Sequence, residues 1–389
     1  MLPKERVIAA LEFKTPDRIP VGETGVDYTI TEAVLGRPTL YRAKWKEFMA
    51  VWQGRRDEYV ASCKRDIVDL ARKLEHDVVP VFLVPSRHKP VTQPEFIADY
   101  RWRMPDGRVF AFSPESEGHP FLLSNPEVTL DELEEIPFEL DESQLELVRH
   151  VVKELGDTHF ILGRPGDGVL PIMKYTLEFL LVGMIQRPEL IHRIIEIETR
   201  YCIKVSEALL DAGCDGVLPT SDLAGNNGPF MSPKMFREFI FPGLKAECDA
   251  AHARGKHLIK HTDGQLWPVL DLMIEAGIDG WQGIQPEIGM TLPALQERYA
   301  GRLCFWGGVS MPALIDGTEE QVAEEVRIAC ESAPAAGGLV ITCANSVMVG
   351  VKCQNYLAQV RAARLYGRRG SDTPAAARLL RPPGNTQPP

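Results

Sequence analysis

The chain has 389 residues, 44% of them hydrophobic and 25% charged, an ordinary balance for a globular protein able to bury a large core. Its formal net charge of -11 argues against a general binder of nucleic-acid backbones, because no surplus of Lys and Arg exists to displace counterions. No apolar run reaches the roughly 20 residues that span a bilayer, and the start MLPKERVIAALEFKTPDRIP lacks the apolar centre of a signal peptide, so a cytoplasmic protein with no membrane partner is expected.

In chain order, KERVIAALEFK sets Val7, Ile8, Leu11 and Phe13 on a helical stripe. TPDRIPVGE breaks that helix and starts a short strand, Ile19 to Gly22, which delivers Glu23. Residues 40–75 read as helices, with RRDEYVASCKRDIVDLARKL a long amphipathic one, and HDVVPVFLVP reads as a strand buried on both faces. Residues 95–125 alternate in polarity around a Pro-Asp-Gly turn, which predicts a β-hairpin insertion. A helix from Asp141 to Leu155 precedes the strand HFILGR.

From there the rhythm is regular. The strands CDGVLPT, HLIKH, IDGWQG, LCFWGG and GLVITC alternate with helical segments, among them MIQRPELIHRIIEIETRYCIKVSEALLDAG and PKMFREFIFPGLKAECDAAHARG. With the three earlier strands this makes eight βα units and predicts a (β/α)8 TIM barrel, an α/β fold, in a single domain over 1–370. A doubly wound sheet is the alternative, but no GxGxxG opens a helix. The Pro-rich end, 371–389, reads as a disordered tail. The 8 cysteines show no CxxC pairing and read as small buried hydrophobes of a reducing compartment.

A barrel gathers its chemistry at the C-terminal ends of its strands. Those ends carry Glu23, with Asp27 and Tyr28 just beyond; Arg164 and Asp167 in the glycine-rich GRPGDG; Asp222, Asn226 and Asn227; His261 and Asp263; Trp281, Gln282 and Gln285; Trp306; and Cys343 with Asn345. Singly, each is an ordinary cap, turn or core residue. Together, the imidazole of His261, the carboxylate of Asp263 and the thiol of Cys343 suit a zinc ion with a fourth position open for substrate. Tyr28, Arg164, Asn227, Gln282 and Asn345 are candidate substrate contacts, Arg164 as an anchor for a carboxylate or phenolate, and Trp281 and Trp306 could stack on a planar ligand.

The segments SDLAGNNGPFMSPKMFREFIFPGLK, KHTDG, AGIDGWQGIQPEIGM and GRLCFWGGVSMPALIDGTEEQVAEEV resemble the uroporphyrinogen decarboxylase superfamily, from TPDRIPV to ARLYGRR. The resemblance implies a (β/α)8 barrel and one of two activities, porphyrinogen decarboxylation or zinc- and corrinoid-dependent methyl transfer. The decarboxylase branch holds substrate carboxylates with an arginine-rich N-terminal motif; here that region reads RIPVGETGVDYTI, without those arginines. The methyltransferase branch places zinc on His-x-Cys at strand five and on a Cys at strand eight. This chain has His261-x-Asp263 and Cys343, so the histidine and distal cysteine carry over and the middle ligand does not. Exchanging a thiolate for a harder carboxylate suits an oxygen substrate.

The expected activity is therefore transfer of a methyl group from a small methoxylated, aromatic donor to the cob(I)alamin of a separate corrinoid-binding protein. Zinc activates the donor oxygen, and Glu23 or Asp222 completes the zinc shell or protonates the leaving oxygen. A metal-independent decarboxylase or lyase, with Asp222 and His261 moving protons, is the second expectation, and an inactive barrel serving as scaffold or binder is the third. A homodimer is left open.

Overall fold

Apolar runs too continuous for a half-exposed strand need cover on both faces, which a parallel sheet wrapped in helices provides. In the computed structural model, which describes residues 1–125 and 127–369, seven such runs pair in parallel. They are Val78–Val81, Phe160–Gly163, Gly216–Val217, His257–His261, Gly280–Gln282, Cys304–Val309 and Leu339–Cys343. The eighth member is shorter than the predicted Ile19–Gly22. Val21 bridges Ile341 and Gly22 bridges Val78, both in parallel, and this two-residue link closes the barrel. Pro20 has no N–H to donate, so the ladder here rests on the Gly22 N–H to Ile341 O (3.2 Å) and the Ile341 N–H to Pro20 O (2.9 Å). The predicted tail, 371–389, lies outside the described residues.

The helix Pro3–Leu11 seals the N-terminal end. Its Val7, Ala10 and Leu11 pack with the inward side chains Val78, Phe160, Leu162, Leu218, Ile259, Cys304, Trp306 and Val340. A second, larger cluster lies between the sheet and the helices around it. With one end filled by apolar side chains, polar groups gather at the other, where the strands end.

Two expectations are revised. The insertion after the second strand is a four-stranded antiparallel sheet, Glu95–Ala98, Arg101–Arg103, Val109–Ala111 and Phe121–Ser124, where a single hairpin was predicted. Phe96 of the added strand Glu95–Ala98 packs on Trp45 and Trp52, with ring centroids 6.3 and 5.8 Å apart, so that strand gains an aromatic anchor invisible in local sequence. The segment beginning MIQRPELIH is two helices, Leu177–Gln186 and Pro188–Asp211, because a proline disfavours the helical conformation of the residue before it and fits the first turn of a new helix. Likewise PKMFREFIFPG passes through a π-helical turn, Phe236–Ile240, just ahead of Pro242, whose missing N–H interrupts the regular ladder.

Candidate metal centre at the barrel mouth

Side chains on a strand alternate between lumen and helix layer, and that parity sorts the candidate residues. Ile259 belongs to the lumen cluster, so His261, two residues on, faces the lumen at its mouth. His261 pairs in register with Gln282, the end of the next strand. The imidazole Nδ1 and Gln282 Oε1 are hydrogen-bonded, which makes Nδ1 the protonated nitrogen and leaves the Nε2 lone pair free. Gln282 is itself held, donating Nε2–H to the carbonyls of Asn345 (2.6 Å) and Cys343 (3.2 Å).

Nε2 points at two carboxylates, Asp222 Oδ1 at 3.8 Å and Asp263 Oδ1 at 4.0 Å. One ligand atom from each of the three side chains falls within 4.8 Å of the others, the single group of this kind among the described residues. Asp222 comes from the loop after the fourth strand, and the Asp263 N–H donates to its Oδ1 at 2.9 Å. Asn345, beyond the eighth strand, donates to Asp263 Oδ2. Asp263 Oδ1 is buried and has no hydrogen-bond partner.

The electrostatics suit a cation. Burial, then the neighbouring Asp222 charge, pushes the Asp263 carboxyl up to about 8. Burial also lowers His261, against the pull of Asp222, so its imidazole is neutral and able to donate its lone pair. Two carboxylates and a neutral imidazole around one point form a hard O,O,N set whose charge balances a divalent ion, and an orphaned buried oxygen is what such an ion would satisfy. These residues fit zinc, with a further position left for a ligand.

The turn carrying Asp263 depends on Gly264. Its φ is +96°, and a Cβ there would stand 2.6 Å from the carbonyl carbon and oxygen of Ala224. Gly264→Ala is expected to cost about 1–3 kcal/mol in denaturant titration, by left-handed strain plus the clash. It should also weaken metal binding, since the Gly264 N–H to Gln285 bond (2.8 Å) holds the turn.

Several candidates stand elsewhere. Cys343, expected as a zinc ligand, is not in the group; Asp222 takes its place. Cys343 shares the outward parity of Ile341 and lies in the sheet–helix layer. There its thiol donates to Glu23 at 3.1 Å, and Glu23 also accepts the Cys343 N–H (3.2 Å) and Gln359 Nε2–H (2.7 Å). Glu23 is thereby turned away from the lumen, not toward the metal group. Trp281 has the same outward parity, is fully buried, and donates Nε1–H to Thr262 O at 2.9 Å. Trp306 faces the lumen, but below the mouth, fully buried against Phe160 with centroids 6.4 Å apart. Neither tryptophan offers a face for stacking. Asn227 is exposed at the tip of the small hairpin between Ala224–Gly225 and Gly228–Pro229. Tyr28 donates to Glu117 at 2.6 Å, and Arg164 reaches Thr24 O at 3.4 Å.

Sequence reasoning passed over Lys260. It is fully buried, with Nζ on Ser221 O (3.1 Å) and Oγ (3.0 Å), where it anchors the loop that presents Asp222. A lysine inside the apolar run HLIKH was the available signal.

A sequence model of uroporphyrinogen decarboxylase (URO-D) matches residues 113–366, well over half of the chain. The chain is 26% identical over 170 residues to the uroporphyrinogen decarboxylase of Cupriavidus necator, covering 42% of this chain and 43% of that one. It is 23% identical over 189 residues to the methylcobamide:CoM methyltransferase of Methanosarcina barkeri, covering 48% and 54%. It thus spans about half the length of the curated relatives it matches. A methyltransferase from Methanosarcina mazei shares the fold with a TM-score of 0.66 at 19% identity, over 94% of this chain and 98% of that one. The eight-stranded barrel, the polar mouth and the family match agree: the chain belongs to the uroporphyrinogen decarboxylase family.

Proposed function

We propose that the protein is a methyltransferase that moves a methyl group from a small methoxylated aromatic donor to the cob(I)alamin of a separate corrinoid protein. The observation that carries this reading is the Asp222–His261–Asp263 group at the barrel mouth. The likeness to a methylcobamide:CoM methyltransferase supports it further. In the transfer, cob(I)alamin supplies the electron pair for the new cobalt–carbon bond, the methyl C–O bond breaks, and the oxygen leaves with its electrons and takes up a proton. Zinc, when bound, supplies Lewis-acid polarisation of the donor oxygen. His261, Asp222 and Asp263 would hold the ion, while Gln282 fixes the imidazole tautomer and Asn345 orients Asp263. This chain's oxygen-rich donor set favours an oxygen substrate over a thiol.

The second reading, a metal-independent decarboxylase or lyase, is favoured by one observation. Asp263 keeps its proton up to about 8 beside the Asp222 carboxylate, an arrangement suited to proton delivery. One experiment separates the two. Purified protein is assayed for bound metal, then for demethylation of methoxybenzenes with free cob(I)alamin, with and without a chelator. The first reading expects roughly stoichiometric zinc and chelator-sensitive formation of methylcobalamin. Metal-free, well-folded protein that forms no methylcobalamin, with or without the chelator, would overturn the first reading and leave the second.

A further inference from the structure

Beside the mouth lies a cavity of about 210 Å³ whose walls are aromatic and whose charged groups are mostly cations. Phe48, Tyr59 and Phe82 form its apolar sides, and Arg42, Lys44 and Arg164 line it. Asp27 binds two of the cations, Arg42 Nε at 2.7 Å and Lys44 Nζ at 2.6 Å, so a single carboxylate is shared between two positive charges. Arg164 has no carboxylate within salt-bridge distance among the described residues. Its one hydrogen bond, Nη1 to Thr24 O, is long at 3.4 Å, and its Nε is buried with no partner. The remaining acid, Glu47, is pushed up to about 7 by burial and so compensates only in part. Burial, then the charge of Arg42, brings Arg164 down to about 10, still protonated at neutral pH.

A guanidinium kept charged and buried without an ion-pair partner costs several kcal/mol, and among the described residues only the long bond to Thr24 O and the more distant charges of Asp27 and Asp167 oppose that cost. An anion from outside would offset it. We infer that this cavity is the subsite for the carboxylate of an aromatic acid, gripped by Arg164 with Arg42 and Lys44 beside it. The fit is chemical and steric: guanidinium matches carboxylate in a two-pronged pair, and a cavity of about 150 Å³ is enough to hold benzene. Arg164 follows the third strand and Thr24 the first, while the Thr220 N–H donates to Gly166 O at 2.8 Å and Thr220 bridges His261, so cavity and metal group open at the same end of the barrel. The identification of the methyl donor as a methoxylated aromatic acid rests on the methyl-transfer reading; the anion subsite itself does not.

The test uses the full chain without corrinoid, titrated calorimetrically with benzoate and with benzyl alcohol, its uncharged counterpart. Benzoate is expected to bind at least about tenfold more tightly, the effect of one charge-assisted pair. R164M should remove that preference, R164K should keep part of it, and R164M should unfold at a higher temperature because an unpaired buried charge is gone. Equal affinity of wild-type protein for acid and alcohol overturns the subsite without any variant, as does undiminished benzoate binding by a folded R164M. Benzoate selectivity lost in R164M, in a protein that transfers no methyl group, upholds the subsite and defeats the methyl-transfer reading alone.

Discussion

His261→Ala is expected to abolish tight zinc binding and to lower kcat/KM for methyl transfer by about 1,000-fold or more, roughly 4 kcal/mol of transition-state stabilisation. The imidazole is the one nitrogen donor of the group, and its Nε2 is the atom aimed between Asp222 and Asp263. Asp263→Asn should behave similarly, because it removes the charge that balances the ion. Gln282→Leu should be milder, about 10- to 100-fold in metal affinity, since it frees the tautomer and orientation of His261 without deleting a ligand. Competition against a chromophoric chelator measures all three. Unchanged zinc affinity in His261→Ala would sink the assigned centre, whatever the activity.

Glu23→Gln is expected to stabilise the protein at alkaline pH and to do little at acid pH. Burial pushes the Glu23 carboxyl to about 8, against an ordinary value of 4.5, and hydrogen bonds from Cys343 and Gln359 only partly oppose it. The folded state therefore holds a proton that the unfolded state has released between those two values. Below about 4.5 both states are protonated and nothing is lost. From there to about 8, stability falls by about 1.4 kcal/mol per pH unit, and above 8 the loss is complete. A neutral amide escapes that fall, and its N–H can meet Gln359 Oε1, which is buried without a partner. Relative to wild type, Glu23→Gln should gain up to about 4 kcal/mol at pH 9 while nearly matching it at pH 5. Denaturant titrations at both pH values on both proteins give the difference, from which titration of Asp263, Glu47 and other shared groups cancels. A gain independent of pH would show that Glu23 is ionised in the fold and that its burial has been misread.

The barrel was legible because its signals are local. Runs such as HFILGR and GLVITC are too apolar for one-sided burial, and each is followed by a helix of ordinary length. His261 and Asp263 were legible as a pair because polar residues ending a buried strand stand where a barrel opens. The added strand Glu95–Ala98 of the insertion was not, because its anchor for Phe96 is Trp45, some fifty residues earlier in the chain.

Sequence alone determined the eight βα units, the end at which the polar residues gather, and the family resemblance that the match over 113–366 bears out. Tertiary structure decided which residues meet. Cys343 and Trp281 sit at plausible strand ends, yet the phase of the pleat relative to the lumen is set by how the strands close into a ring, and it turns both toward the helices. Asp222, 39 residues before His261, joins the group because its loop is folded back over the mouth by Lys260 and the Asp263 N–H. Arg164, Arg42 and Lys44 become one cavity only when the first and third strands lie either side of the second. Periodicity along a chain reports which face is buried, whereas a site is made of contacts between chain segments, and those exist only once the barrel has closed.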